Sequence, residues 1–200
     1  MFLSDNGGLS AHTRAGELHT HNTPLRSGKG SAYEGGIRIP FITKWPGITN
    51  KNSINANNII IEDLYPTLLD MAEITPQSTI QNIDGKSFVP LLKQKTVKND
   101  SYLYWHYPHV WGPEGPALKL YSAIRQGDWK LIYFHEDIKL ELYNTKTDIG
   151  EQNDVLKIYP KMAKKLANQL GKYLRVANTK MPINKATGKM ILFPDDAYKL

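Results

Sequence analysis

Short, aromatic-rich segments recur through the second half of the chain, and this pattern restricts the fold more than any other sequence feature. Two of them are separated by Gln126-Gly127-Asp128, which is typical of a β-hairpin. A helix is predicted from Pro160, a residue favoured at first helical positions, to about Val176. Its apolar positions on one face are Met162, Leu166, Leu170 and Tyr173. The predicted strands are Tyr102 to His106, Tyr121 to Arg125, Trp129 to Phe134 and Lys139 to Tyr143. The pattern predicts a small antiparallel sheet with one packed helix.

The first half has a different organisation, in which short apolar segments alternate with loops. Met1 to Ser4 is interpreted as the end of a buried strand, and a long polar loop is predicted from Asp5 to Gly36. Ile37 to Trp45 is the next strand candidate, with Pro40 placing it near a sheet edge or at a bulge. Asp63 is the predicted cap of a helix that ends at Met71. A lysine-rich stretch from Lys93 to Lys98 marks the boundary, so we predict two parts, 1–97 and 98–200.

Composition indicates a globular protein but does not by itself identify its function. The 200 residues are 40% hydrophobic, which is typical of a globular protein, and they contain no cysteine. No stretch reaches about 18 consecutive apolar residues, so no membrane span is expected. The net charge is +6, but no nucleic-acid-binding signature accompanies it. The densest lysines lie on or next to the predicted helix and are interpreted as a solvated face: Lys157, Lys161, Lys164, Lys165 and Lys172.

Asp5 and Asn6 are the candidate metal ligands. A carboxylate and an amide oxygen suit a hard cation such as Ca²⁺ or Mg²⁺. Asp-Asn and Asn-Gly pairs are also ordinary turn formers, so the residue types alone leave both interpretations open. Their position directly after a predicted strand favours a ligand site, since ligands of open α/β sheets gather beyond the carboxyl ends of strands.

Lys29 lies between two glycines, where its ammonium could reach an anion while the glycines permit close approach of the backbone. A solvated lysine in a loop is the alternative. Nearby, Glu34 and Arg38 are expected to pair and to shape the loop. His21 and His106 are candidates for substrate binding, and His106, among aromatic residues, is also a candidate proton donor near neutral pH.

The ordered motifs resemble those of the sulfatase (arylsulfatase) family along nearly the whole chain. They include Ser4-Asp5-Asn6-Gly7-Gly8, Gly28-Lys29-Gly30, Tyr33-Glu34-Gly35-Gly36-Ile37-Arg38-Ile39-Pro40 and Gly127-Asp128-Trp129-Lys130-Leu131-Ile132. The resemblance implies the C-terminal part of an alkaline-phosphatase-like α/β sandwich in 1–97, which carries the metal and sulfate loop. It implies a C-terminal subdomain, an antiparallel sheet plus a helix, in 98–200.

The resemblance also implies the chemistry. Asp5 and Asn6 match the family's Ca²⁺ ligands, and Lys29 matches the lysine that contacts the substrate sulfate. The family's nucleophile is a formylglycine made from Cys or Ser, and its motif is absent from this sequence, as is the family's paired aspartate. We therefore interpret the chain as a fragment that by itself lacks sulfatase activity. A periplasmic or secreted protein is expected from the family, with a sulfate ester, such as that of a sulfated carbohydrate, as the substrate.

Two alternatives remain open at this level. The first is a phosphatase or phosphonate monoester hydrolase of the same superfamily, although such enzymes usually have Asp-His where this chain has Asp5-Asn6. The second is a non-catalytic module that binds sulfated glycans through Lys29, Arg26 and the basic helix. The sequence does not identify the sulfate ester or the oligomeric state.

Overall fold

The computed structural model describes residues 1–10, 22–74, 81–98, 100–109 and 118–199. The chain divides into two compact units. The first contains Met1–Phe2 and Phe41–Asp100, and the second contains Leu3–Pro40 and Ser101–Leu200. The predicted parts, 1–97 and 98–200, differ from these units in that Leu3–Pro40 associates with the C-terminal residues. The reason is that Ala32 and Tyr33 are buried in the core of the C-terminal sheet.

The second unit is built on a four-stranded antiparallel sheet with its strands in chain order. Two short strands, β1 (Phe2–Leu3) and β2 (Phe41–Ile42), come earlier in the chain. The strands of the sheet are β3 (Tyr102–Tyr107), β4 (Tyr121–Gln126), β5 (Trp129–Phe134) and β6 (Lys139–Asn144). The strands β4 and β5 form the predicted hairpin, in which Gly127 has a φ of 56° that a glycine adopts without strain. All four predicted strands are confirmed.

One face of the sheet is covered by the helix α4 (Pro160–Val176), which has the predicted bounds. Its buried residues are Ala163, Leu166, Ala167, Leu170, Gly171 and Leu174. Leu174, rather than the predicted Tyr173, completes the buried stripe. Tyr173 lies beside the buried stripe and stacks on Tyr104 of β3, with ring centroids 3.7 Å apart. Of the five lysines assigned to the solvated face, Lys157 precedes the helix and the other four lie on it. A short helix, α5 (Pro194–Ala197), also packs against this core.

The other face of the sheet is covered by part of the glycine-rich segment, residues 28–36. Ala32 and Tyr33 pack against Tyr121, Ala123, Ile132, Phe134 and Tyr143, with Trp105 and Tyr107 at the margin. Side chains alternate between the two faces along each strand, so residues 122, 124, 131 and 133 face α4 whereas 121, 123, 132 and 134 face the glycine-rich segment. The sheet therefore separates two clusters with different partners.

The first unit is mainly loop and short helix. It contains a 3₁₀ turn (Ile61–Asp63), α2 (Leu64–Met71) and α3 (Val89–Leu92). Asp63 stands at the N-cap of α2, but its carboxylate accepts from the backbone N–H groups of Ile60 and Lys86. The two-residue strands β1 (Phe2–Leu3) and β2 (Phe41–Ile42) form a two-stranded sheet. No helix in the part of the chain described here is long and apolar enough to cross a membrane.

Two sequence predictions in the first half are wrong. The strand predicted from Ile37 to Trp45 is reduced to Phe41–Ile42, because Glu34–Ile37 forms a helical turn, α1, and Pro40 has no N–H to donate. The strand predicted to be buried at Met1 to Ser4 is reduced to Phe2–Leu3, and Phe2 is 64% exposed. A sheet of two such short strands is too small to bury their apolar side chains.

Candidate functional site

Glycines bring the segment Asp5–Gly8 against the segment Gly28–Gly36. The Lys29 N–H donates to the Gly8 carbonyl oxygen at 2.9 Å. A Cβ atom on Gly7 would lie 2.3 Å from the Gly35 carbonyl oxygen, and one on Gly28 would lie 2.3 Å from the Gly8 carbonyl oxygen. No side chain fits at either position, so the glycine pattern is what permits this close backbone approach. The segment of the predicted metal ligands and the segment of Lys29 therefore lie side by side.

The predicted ligand side chains are accessible at this junction. Asp5 is exposed, and Asn6 is half-buried, with its backbone carbonyl accepting from Ser4 Oγ at 3.0 Å. Lys29 is also half-buried, and among the described residues no carboxylate lies within 4.0 Å of its ammonium. The described residues contain no group of three or more His, Cys, Asp or Glu side chains that could hold a metal ion. Asp5 and Asn6 thus offer oxygen donors suited to a hard cation, but too few for a complete site.

A buried ionic cluster fixes the Lys29 segment to the C-terminal sheet. Lys130 of β5, which is fully buried, lies 3.0 Å from Glu34 Oε1 and 2.9 Å from Glu151 Oε1. Arg125 of β4 contributes a second cation, with its Nη1 3.0 Å from Glu34 Oε2. The backbone N–H of Glu34 donates to Glu151 Oε2 at 2.6 Å. The predicted contact between Arg38 and Glu34 is present at 3.8 Å, but it is the weakest of these interactions.

The two carboxylates of this cluster have opposite pKa shifts. Burial would raise the pKa of Glu34, but the charges of Lys130 and Arg125 hold it below its usual value. Burial raises the pKa of Glu151, and the charge of Lys130 only partly opposes that effect. Glu34 therefore keeps its charge to a lower pH in the folded chain than it would without Lys130 and Arg125, the two cations supplied by neighbouring strands.

A second anchor is made by Tyr33 and Arg26. The Tyr33 hydroxyl donates to Glu141 Oε2 at 2.7 Å, and Tyr143 donates to the same oxygen at 2.8 Å. The Arg26 guanidinium lies over the Tyr33 ring, 3.9 Å from its centroid, and donates to the Glu151 carbonyl oxygen at 2.7 Å. Burial and the hydrogen bond to Glu141 raise the pKa of Tyr33. The segment on both sides of Lys29 is thus held by buried polar contacts.

His106 belongs to a chain of hydrogen bonds on the α4 side of the sheet. Its Nε2 lies 3.2 Å from the Lys180 carbonyl oxygen and its Nδ1 lies 2.8 Å from Ser122 Oγ, which in turn lies 2.8 Å from His135 Nε2. A carbonyl oxygen only accepts, so Nε2 of His106 carries the proton and Nδ1 accepts from Ser122. Ser122 then accepts from Nε2–H of His135, whose buried Nδ1 has no hydrogen-bond partner in the described part of the chain.

The structure does not bring His106 to the segment of Lys29. His106 pairs with Ser122 on the face that α4 covers, whereas Ala32 and Tyr33, which continue the Lys29 segment, pack on the opposite face. Both ring nitrogens of His106 are engaged internally, and burial lowers its pKa. The predicted catalytic and substrate-binding roles of His106 stay predictions. His21 lies outside the described residues, and its role stays a prediction.

Comparison with known proteins identifies the family. Residues 28–180 match the family described as N-sulphoglucosamine sulphohydrolase, C-terminal. A sulfatase of Formosa agariphila is 34% identical over 211 residues, which cover 100% of this chain and 37% of the relative. The chain belongs to the sulfatase family. Its C-terminal sheet and helix are accordingly part of the alkaline-phosphatase-like α/β fold of sulfatases, as the resemblance implied.

Two solved structures are similar to this chain. Ps i-CgsB in complex with k-i-k-neocarrahexaose is 28% identical, with a TM-score of 0.68 over 86% of this chain and 35% of the other. BT4656 in complex with its substrate D-Glucosamine-2-N, 6-O-disulfate is 30% identical, with a TM-score of 0.57 over 71% of this chain and 29% of the other. The chain spans about a third of the length of these relatives. Sulfatase family membership implies a metal cofactor.

Sequence reasoning missed the partners that anchor Glu34 in this sulfatase chain. Lys130 was not singled out, although it stands between Trp129 and Leu131 on a strand whose residues at 132 and 134 are buried on the same side. A lysine at an inward-facing strand position indicates a buried anionic partner. Glu151 gives a weaker signal, because it follows the turn at Gly150 and its φ of 50° is visible only in the structure.

Proposed function

We propose that the protein containing this chain hydrolyses sulfate esters and that the chain supplies part of its metal and sulfate site. The observation that carries the proposal is the backbone contact between Lys29 and Gly8, which holds the lysine segment against the segment of Asp5 and Asn6. Membership of the sulfatase family supports the same chemistry. The buried anchors at Tyr33 and Glu34 keep the lysine segment in this position before substrate binds.

Each residue of the junction has a proposed role. The Lys29 ammonium binds oxygens of the substrate sulfate and stabilises the charge that they develop during the reaction, a preorganised electrostatic effect. Asp5 and Asn6 are proposed as two of the oxygen ligands of Ca²⁺. When bound, that cation polarises the sulfate group as a Lewis acid. The remaining ligands and the formylglycine nucleophile are assigned to residues outside this chain.

The proposed substrate is the sulfate ester of a carbohydrate. The solved structures similar to this chain include one in complex with a neocarrahexaose and one in complex with its substrate, a disulfated glucosamine, which supports a carbohydrate for this protein as well. A periplasmic or secreted location belongs to the same proposal and derives from the family resemblance.

Substitution of Lys29 in the complete protein that contains this chain tests the proposal. We expect Lys29→Ala to lower kcat/KM for an aryl sulfate by about 10²- to 10³-fold, the size of effect seen when one group that stabilises transition-state charge is removed. Lys44→Ala, which removes an exposed lysine from the other compact unit, is the control and should leave the rate unchanged. Equal activity of the wild type and Lys29→Ala would contradict the assigned role.

A paired assay separates sulfatase from phosphatase chemistry. The relatives are named sulfatases, and the chain has Asn6 where a phosphatase of the superfamily usually has histidine, so we expect the aryl sulfate to be cleaved faster than the aryl phosphate. A preference for the phosphate ester would contradict the proposed reaction.

A further inference from the structure

The exposed side of α4 carries a row of uncompensated positive charge. At 100° per residue, Lys161, Lys165 and Lys172 fall within about 40° of one another on the helix, and Lys164 is about 60° to one side. The buried stripe that includes Leu166, Leu170 and Leu174 lies on the opposite side. With a rise of about 1.5 Å per residue, the row from Lys161 to Lys172 is about 16 Å long. We call Lys161, Lys164, Lys165 and Lys172 the basic face.

Nothing described in the structure neutralises this basic face. The helix itself contains no Asp or Glu, and among the described residues no carboxylate lies within 4.0 Å of the four ammonium groups. Lys165 Nζ donates to the neutral Gln126 Oε1 at 2.8 Å, which orients the lysine without cancelling its charge. Arg175, by contrast, is paired with Asp195 and Asp196 and is excluded from the face.

We propose that the basic face binds a sulfated glycan chain at a site separate from Lys29. A linear row of ammonium groups matches a polymer that carries sulfates at intervals, and binding releases the counterions condensed on such a polymer. The face lies on the α4 side of the sheet, opposite the side on which Ala32 and Tyr33 pack. A polymer bound to the basic face is therefore held away from the proposed sulfate site at Lys29. The choice of a sulfated glycan over a nucleic acid rests on the proposed function.

Heparin binding by the 200-residue chain tests the proposal, with heparin as the sulfated-glycan probe. The variant K161Q/K165Q/K172Q removes three charges from the basic face at exposed helical positions, where glutamine is nearly as good a helix former as lysine. The variant K44Q/K51Q/K95Q removes the same charge from exposed positions of the other compact unit. Circular dichroism and thermal unfolding first establish that both variants are folded. Dissociation constants are then measured in 0.15 M NaCl for heparin and for duplex DNA of matched charge.

The expected result is binding of the wild-type chain to heparin that the basic-face variant weakens at least about tenfold. The charge-matched control should stay within about twofold of the wild type, and DNA should bind more weakly than heparin. Equal loss in both triple variants would mean that only net charge matters, and unchanged binding in the basic-face variant would mean that heparin binds elsewhere on the chain; either result overturns the proposal, as does absence of heparin binding. DNA binding as tight as that of heparin would reassign the face to nucleic acid. Hydrolysis of a small aryl sulfate by the complete protein depends on none of the four basic-face lysines, so failure here leaves the proposed reaction standing.

Discussion

At the scale of single residues, His135 is held in its neutral form inside the second unit. Burial lowers its pKa from the ordinary 6.5 to about 3, and the neighbouring His106 adds to that effect. In the tautomer that donates from Nε2 to Ser122, Nδ1 carries no proton and is buried in the interior. A proton added there would be a buried charge without a described counter-ion, which is costly. The folded chain therefore binds this proton much more weakly than the unfolded chain does.

This difference predicts a pH-dependent stability. Because the folded pKa is depressed, the contribution of His135 is complete above about pH 7 and is lost as the pH falls toward 3. Between pH 6.5 and pH 5 the loss is about 2 kcal/mol for one proton. Urea unfolding followed at pH 7, 6 and 5 measures it. His135→Gln should show a smaller decline over this interval, and equal declines in the variant and the wild type would contradict the prediction.

Lys130 is the second residue with a large expected effect. Its removal would leave Glu34 and Glu151 buried beside each other, with Arg125 at 3.0 Å and Arg38 at 3.8 Å as the cations that still contact Glu34. We expect Lys130→Met to lower the free energy of unfolding by about 3–5 kcal/mol, the usual cost of breaking a buried ion pair from one side. Chemical denaturation measures this loss, and Lys146→Met, which removes an exposed lysine that forms no ion pair among the described residues, is the control.

A double-mutant cycle tests whether the loss comes from the ionic contact. In the Glu34→Gln background the cost of Lys130→Met should be smaller, because one of the two carboxylates that need a counter-charge is gone. Independent, additive effects of the two substitutions would show that Lys130 stabilises the sheet by packing alone.

At the scale of elements, α4 depends on its buried stripe rather than on its exposed side. Leu170 has no exposed surface, whereas Val176 on the same helix is 79% exposed. Leu170→Ala should lower the free energy of unfolding by about 2–5 kcal/mol, because it leaves a cavity against the sheet. Val176→Ala should change it by less than about 0.5 kcal/mol. Denaturant midpoints of the two variants provide the comparison, and similar shifts for both would mean that α4 does not pack as described.

Elements with a strong local pattern were the ones that the sequence predicted well. The strand Trp129–Phe134 and the helix Pro160–Val176 have the predicted ends, because alternation and an amphipathic stripe are encoded within each segment. The segment Ile37 to Trp45 was predicted poorly. Its apolar residues suit a strand, but the preceding Glu34 and Gly35 are buried in a helical turn, and that turn is determined by contacts with β4 and β5 that are distant in sequence.

At the scale of the whole molecule, the chain is expected to be inactive by itself. Its sequence has no formylglycine motif, and Asp5 and Asn6 by themselves are too few oxygen ligands for Ca²⁺, which takes 6–8. The purified chain should release no product from an aryl sulfate with or without Ca²⁺, and calorimetry should show Ca²⁺ binding no tighter than about 1 mM. Ca²⁺-dependent turnover by the chain would contradict this prediction.

The sequence by itself determined the family, the sheet and helix of the C-terminal part, and the residue types that suit a cation and a sulfate. These properties depend on local patterns and on ordered motifs, both of which are readable along the chain. The tertiary structure decided which of those residues meet: Lys29 lies beside the segment of Asp5 and Asn6, whereas His106 lies on the other face of the sheet. It also decided that Glu34 is held by Lys130 and Arg125. The contacts of Glu34 join residues 91 and 96 positions apart, and strand register and burial, which set them, are properties of the folded chain.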